Sequence, residues 1–197
     1  MSRKLLKKLP IIISDESVRQ FQVGKHLRVL FQDEGRFGRI SDSRRCWAPE
    51  GIRPEVPVQI IREYIYAFVA VSPADGVLDS LIFPEVNSHT MSIFLAEVSL
   101  RHPTDFILMF MDRAGWHRSH ELVIPSNIRI EWLPPYSPQC NPAEHIWDEI
   151  REKWFANRVF KSLDAVETTL CESLYTLENN PERVAKLTGF DWIISTL

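Results

Sequence analysis

Leu27-Arg28-Val29-Leu30-Phe31-Gln32-Asp33-Glu34 is the stretch that decides the fold. Leu27, Val29, Leu30 and Phe31 make it almost continuously apolar, so residues 27–32 are expected to form a strand, and a central one. Asp33 ends the run with a carboxylate. The same form returns in Phe106-Ile107-Leu108-Met109-Phe110-Met111-Asp112. There residues 106–111 predict a strand covered on both faces, and Asp112 closes it.

Around these two runs the pattern is a meander followed by alternating helices and strands. Residues 64–72 are rich in aromatic and β-branched side chains and read as a strand. Pro73-Ala74-Asp75-Gly76 reads as a turn, and 77–84 as the returning strand. Residues 44–48 suggest a further short strand. Met91, Phe94, Leu95 and Val98 recur at helical spacing, so 88–101 is expected to be a helix that Pro103 stops. A short helix is expected over 119–123 and a strand over 128–133. Asn141 is placed to cap the next helix, with Pro142 in its first turn. Ile146, Trp147, Ile150 and Trp154 make that helix's buried stripe. Helices over 162–179 and 182–187 follow. This order predicts an α/β protein with a mixed five-stranded sheet flanked by helices, the ribonuclease H-like fold. Residues 1–26, with Lys4, Lys7 and Lys8 clustered, are expected to be a linker or short helix outside the core. Residues 27–160 then form the main domain, and 161–197 supply helices that pack on it.

In such a fold the first and fourth strands are neighbours, which brings Asp33 and Asp112 side by side. Two like charges that close are unfavourable without a cation. Mg²⁺ takes carboxylate and phosphate oxygens and keeps several waters. Glu144, at the start of the helix behind Asn141, can reach a second ion, and a two-metal site suits phosphodiester chemistry. The plainer reading of each acid is a turn former, or a favourable partner of the helix dipole. Glu34 is an alternative to Asp33, and Asp148, four residues after Glu144 on one helix face, an alternative to Glu144. His117 is a candidate for the metal shell, a phosphate or the attacking water. His120 follows, but no Cys/His set completes a zinc site. The loop 133–142 is stiffened by Pro134, Pro135, Pro138 and Pro142, and its Tyr136 and Ser137 are candidates for DNA contact. Arg36, Arg39, Arg44, Arg45 and Arg53 form a basic stretch that either carries a DNA backbone or is a solvated hairpin. Trp47 and Trp116 are candidates for base stacking, with core packing the favoured reading.

The chain has 197 residues and a net charge of −3, so it lacks the basic signature of a simple DNA-binding module. Bound cations offset that deficit at an acidic metal site. Hydrophobic residues make up 45%, enough for a real core. Cys46, Cys140 and Cys171 form no CxxC pair, so neither a zinc site nor a disulfide framework is indicated. A reduced, cytoplasmic setting is expected, and no apolar run approaches a membrane span.

Phe31-Gln32-Asp33-Glu34-Gly35-Arg36-Phe37-Gly38, Met111-Asp112-Arg113-Ala114-Gly115-Trp116-His117 and Leu133 to Trp147 resemble the three DDE motifs of insertion-sequence transposases related to Tc1/mariner elements, the IS630 family. The third is the most specific: a proline-rich loop, Asn141-Pro142, Glu144, then Trp147 three residues on. The resemblance covers residues 27–160. It implies Asp33, Asp112 and Glu144 as catalytic, metal-binding residues that use Mg²⁺ or Mn²⁺ in a two-metal site. Glu34, Arg36, Arg113, His117, Tyr136 and Asn141 would support them or touch DNA. It implies cleavage of double-stranded DNA at element ends by water, joining of the freed 3′-hydroxyl to target DNA, and action as a homo-oligomer on the nucleoid. The family's second motif usually has Asn where this chain has Arg113. Relatives also carry N-terminal helix-turn-helix domains that read the element ends. Nothing before Leu27 is long enough for one, so a separate DNA-reading partner is expected. The alternatives are an inactive or domesticated remnant that binds DNA or protein, and a host nuclease of the same fold.

Overall fold

Strand β1 (His26–Ile40) runs through the middle of the sheet, and every feature of the site is placed by what pairs with it. In this computed structural model residues 3–113, 121–135, 137–195 and 197 are described. β1 pairs antiparallel with β2 (Ile60–Val71), and β2 pairs antiparallel with β3 (Leu78–Phe83). On its other side β1 pairs parallel with β4 (Asp105–Met111), which pairs parallel with β5 (Ile128–Trp132). The order is therefore β3-β2-β1-β4-β5, the mixed five-stranded sheet expected, with β1 and β4 adjacent as predicted.

Two departures change the geometry. β1 is far longer than the expected 27–32, because β2 continues to pair with it from Asp33 opposite Val69 to Ile40 opposite Ile60. Asp33 thus lies within a strand, not at its tip. The pairing of β1 with β4, by contrast, ends at Phe31 opposite Phe110. Beyond that point β1 keeps one neighbour and loses the other, which opens a notch at the centre of the sheet. The second departure is that 44–48 forms no strand. Arg44 turns aside to Asp42 and Glu152, and Asp42 forms an isolated bridge with Ala156.

Strand alternation divides the core in two. Val29, Phe31, Phe37, Val69, Leu108 and Phe110 face one side. They are covered by α3 (Glu144–Ile150) through Ile146, Trp147 and Ile150, and by α4 (Leu163–Glu178) through Val166, Leu170, Leu174 and Leu177. Leu30, Phe68, Ala70, Met109 and Met111 face the other side, under Met91, Phe94, Leu95 and Val98 of α2 (Ser88–Arg101). Asn87 and Thr90 close a reciprocal capping box at the start of α2.

The expectation for residues 1–26 is corrected. Within them Arg3–Gln22 form a 20-residue helix, α1, whose Leu9 and Ile13 sit in the main core one turn apart. Buried Glu16 on the same face pairs with Arg129 of β5 at 2.6 Å. The short helix expected over 119–123 lies partly outside the described residues, and 121–123 are not helical. After α3 the chain makes a π-helical turn (Arg151–Phe155), then α4, α5 (Pro181–Thr188) and α6 (Asp191–Ile194).

Candidate active site

The β1–β4 register is constant, with His26 opposite Asp105 and Phe31 opposite Phe110. Extended by two residues, it sets Asp33 opposite Asp112 across the notch. Asp112 immediately follows the last residue of β4. Glu144 is the first residue of α3, whose buried stripe lies on the face that Asp33 shares with Phe31 and Phe37. Asp33, Asp112 and Glu144 accordingly line one pocket of about 390 Å³, together with Arg113, Ser137, Asn141 and the prolines 134, 135 and 138.

The proline-rich loop forms the pocket wall and delivers Glu144. Pro138–Cys140 make one tight 3-10 turn. Buried Asn141 then acts twice: its Nδ2 donates to the Gln32 carbonyl at 2.9 Å, and its Oδ1 accepts from the Ala143 N–H at 3.2 Å. One side chain therefore ties the loop to the residue next to Asp33 and also caps the turn leading into α3. The helix proper starts two residues later than an Asn141 cap with Pro142 in the first turn would place it.

A further tie connects Asp33 to the same helix. Trp147 Nε1 donates to Asp33 Oδ2 at 2.8 Å, from an indole that is 1% exposed. The ring fits because residue 35 is glycine: a Cβ there would stand 2.8 Å from Trp147 Cδ2. In the sequence Trp147 was legible as part of the helix's apolar stripe and as the end of the third motif, but neither reading gave it a hydrogen-bond partner. The glycine beside an acid in a strand was the available signal for close approach.

Electrostatics mark the pocket. Burial, then the charges of Glu144 and Glu34, hold the Asp33 carboxyl well above the usual carboxylate range; Asp112 adds to this and the Trp147 N–H opposes it. Burial also raises Glu144, Asp148 and Asp112 add to it, and Arg151 and His145 counter it. Among the described residues no three Asp, Glu, His or Cys side chains converge closely enough to hold one ion. The three carboxylates line one pocket. Oxygen donors that repel one another around a shared pocket nonetheless suit hard divalent cations, which would relieve that repulsion.

The other candidates are distributed as follows. Glu34 and Arg36 line a second cleft of about 570 Å³ that also reaches Asp33 and Asp112. Glu34 lines this cleft alone of the two, and exposed Asp148 lines neither, whereas Asp33 and Glu144 line the pocket. Arg113 is exposed at the pocket edge. His117 and Tyr136 lie outside the described residues, as do Trp116 and His120. The basic stretch splits. Arg39 is consumed by Glu63 and the carbonyls of Phe160 and Lys161, and Arg44 by Asp42 and Glu152. Arg45 and Arg53 are exposed. Core packing of Trp47 is corrected: it is fully exposed, in the long loop between β1 and β2 that no strand pairs with.

Similarity to known proteins agrees with this layout. The profile of the DDE superfamily endonucleases matches residues 28–167. The uncharacterized protein y4pE/y4sA of Sinorhizobium fredii (strain NBRC 101917 / NGR234) is 34% identical over 131 residues, covering 66% of this chain and 96% of that protein. Among solved structures, the Mos1 transposase paired-end complex with left transposon end superposes with a TM-score of 0.57 at 13% identity, over 96% of this chain and 63% of that one. The chain thus spans under two thirds of that relative's length. The catalytic domain of Mos1 mariner transposase superposes with a TM-score of 0.51 at 12% identity, over 96% of each chain. At such identities the likeness is one of fold, and the fold is ribonuclease H-like.

Proposed function

This chain belongs to the DDE superfamily endonucleases, and on that premise we propose that it is the catalytic domain of a DNA transposase of the Tc1/mariner superfamily, in its IS630 group. The observation that carries the proposal is the meeting of Asp33, Asp112 and Glu144, from three separate segments, around one pocket. Mos1 relatives of the same fold form complexes with transposon ends, and some of those complexes hold Mn or Mg.

The proposed reaction has two displacements at phosphorus. Water attacks at the element end and breaks the bond to the 3′ oxygen, leaving a 3′-hydroxyl and a 5′-phosphate. That 3′-hydroxyl then attacks a target phosphodiester and releases a target 3′-hydroxyl. Asp33, Asp112 and Glu144 would hold Mg²⁺ or Mn²⁺, which when bound make the attacking oxygen nucleophilic and neutralise the leaving one. The chain's own groups supply position. Trp147 fixes one oxygen of Asp33, a residue that lines the pocket. Asn141 fixes the loop against β1. Arg113, at the pocket edge, offers a planar donor set to a phosphate. Double-stranded DNA is the substrate, a separate helix-turn-helix part reads the element ends, and the working unit is a homo-oligomer.

Nicking and strand transfer on duplex DNA, assayed with Mn²⁺ and with a DNA-reading domain supplied, test this directly. Activity that Asp112→Asn abolishes supports it. Inactivity of the parent chain under those conditions would sink it, and cutting of branched junctions without any terminal repeat would favour a host nuclease.

A further inference from the structure

A groove of about 270 Å³ lies beside the acidic pocket, between the far half of β1 and the π-helical turn. Arg36, Arg151 and Arg158 line it, over a floor of Phe37, Phe155 and Phe160. Arg151 stacks 5.4 Å from the Phe37 ring centre and Arg158 5.1 Å from that of Phe160, whereas Arg36 lies at the rim, where β1 has lost its β4 neighbour, with its guanidinium 4.6 Å from the Tyr64 ring centre on the opposite face of the sheet. Stacking holds the guanidinium plane and leaves N–H edges for other acceptors; one Nη of Arg158 already donates to the Trp154 carbonyl at 2.8 Å. Among the described residues none of the three forms an ion pair with a carboxylate, unlike Arg39 and Arg44 close by. The one acid on the groove wall, Asp42, is already paired with Arg44. Three arginines without a carboxylate partner, two in the groove and Arg36 at its rim, stand out on a chain of net charge −3.

The groove is joined to the candidate active site. Arg36 also lines the cleft that reaches Asp33 and Asp112. Arg151 follows Glu144 by two helical turns on one face, and its charge reaches the Glu144 carboxylate.

We propose that Arg36, Arg151 and Arg158 form a phosphate-binding groove that carries the backbone of a DNA strand away from the acidic pocket. This rests on the proposed DNA substrate. Guanidinium edges take successive phosphate oxygens, and the contacts are to backbone, so they carry no sequence preference.

The test is fluorescence anisotropy of a labelled DNA duplex in EDTA, where binding is read without cleavage, over a salt series. The variants are Arg36→Gln, Arg151→Gln, Arg158→Gln and the triple, which keep much of each stem, with exposed Lys186→Gln as control. Each single variant is expected to weaken binding about tenfold. Each should also reduce the slope of log affinity against log salt by about 1, equally for unrelated sequences. Arg151→Lys, which restores the charge, should restore the slope. Parental affinity and slope in a folded triple variant would overturn the inference, as would a parent chain that does not bind duplex DNA. Loss of binding in the arginine variants, combined with no Asp112-dependent nicking, would leave the groove standing and remove the transposase reading.

Discussion

Trp147 donates its indole N–H to Asp33 Oδ2 at 2.8 Å, and so joins the central strand to the helix that begins with Glu144. A group that orients a metal-binding carboxylate acts through that carboxylate and needs no contact with substrate. Removal of such groups typically lowers metal affinity or activity about 10–100-fold. Trp147→Phe keeps most of the ring and removes the donor. Its nicking rate should fall in that range and its Mn²⁺ half-saturation should rise, with duplex DNA affinity unchanged. Unchanged Mn²⁺ dependence in a folded Trp147→Phe protein would make the hydrogen bond incidental.

Asp33 gives a pH-dependent test. Its folded-state pKa is raised above the unfolded value of about 3.9. The folded protein therefore keeps this proton where the unfolded chain has lost it. The penalty of the buried charge is absent below the unfolded pKa, grows as pH rises towards the raised folded value, and is full above that. With metal chelated, Asp33→Asn should raise the melting temperature at neutral pH, by about 2–4 °C for each kcal/mol relieved. The gain should vanish at pH 3. Added Mn²⁺ should stabilise the parent and not the variant. Melting curves at the two pH values, with and without Mn²⁺, decide it; a neutral-pH loss of stability would contradict the electrostatic account.

Gly35 is required by the ring beneath it. A methyl group there would meet Trp147 and Phe37, both 2.8 Å away. Gly35→Ala should destabilise by about 1–3 kcal/mol, the usual range for overpacking. It should reduce nicking further than that loss explains, because the indole is displaced from Asp33. Denaturant melts paired with nicking rates separate the two effects, and a variant as stable and as active as the parent would refute the packing claim.

Gln32, next to Asp33, is fully buried, and neither atom of its side-chain amide finds a hydrogen-bond partner among the described residues. An unsatisfied buried amide opposes folding by about 1–3 kcal/mol. Gln32→Met, similar in shape and apolar, should therefore raise stability by about 1 kcal/mol. A lower melting temperature for that variant would show that the amide is satisfied in solution.

The legible parts of this chain were those dominated by burial. Residues 106–111 are apolar enough to be recognised as a covered strand, and 88–101 carries a clean helical period. The second half of β1 was hidden because Gly35, Arg36, Gly38 and Arg39 look like a turn; pairing with β2 overrides that local preference. α1 was hidden by its lysines, by Pro10 and by the Asp15-Glu16 pair, although Leu9, Ile13 and Glu16 mark one helical face. At the site, the motifs pointed to the three acids. Which polar atom the Trp147 N–H reaches depends on how α3 lies on β1, and no local pattern encodes that. Arg151 was accessible in principle, two turns from Glu144 on the same face.

The central claim is that Asp33, Asp112 and Glu144 are metal ligands, and an anomalous difference map from a crystal soaked in Mn²⁺ tests it most directly. The account predicts Mn²⁺ peaks in the pocket, one between Asp33 and Asp112 and one within reach of Glu144, at carboxylate–metal distances of about 2.0–2.4 Å. Mn²⁺ bound elsewhere on the chain, with that pocket empty at the same concentration, would contradict it.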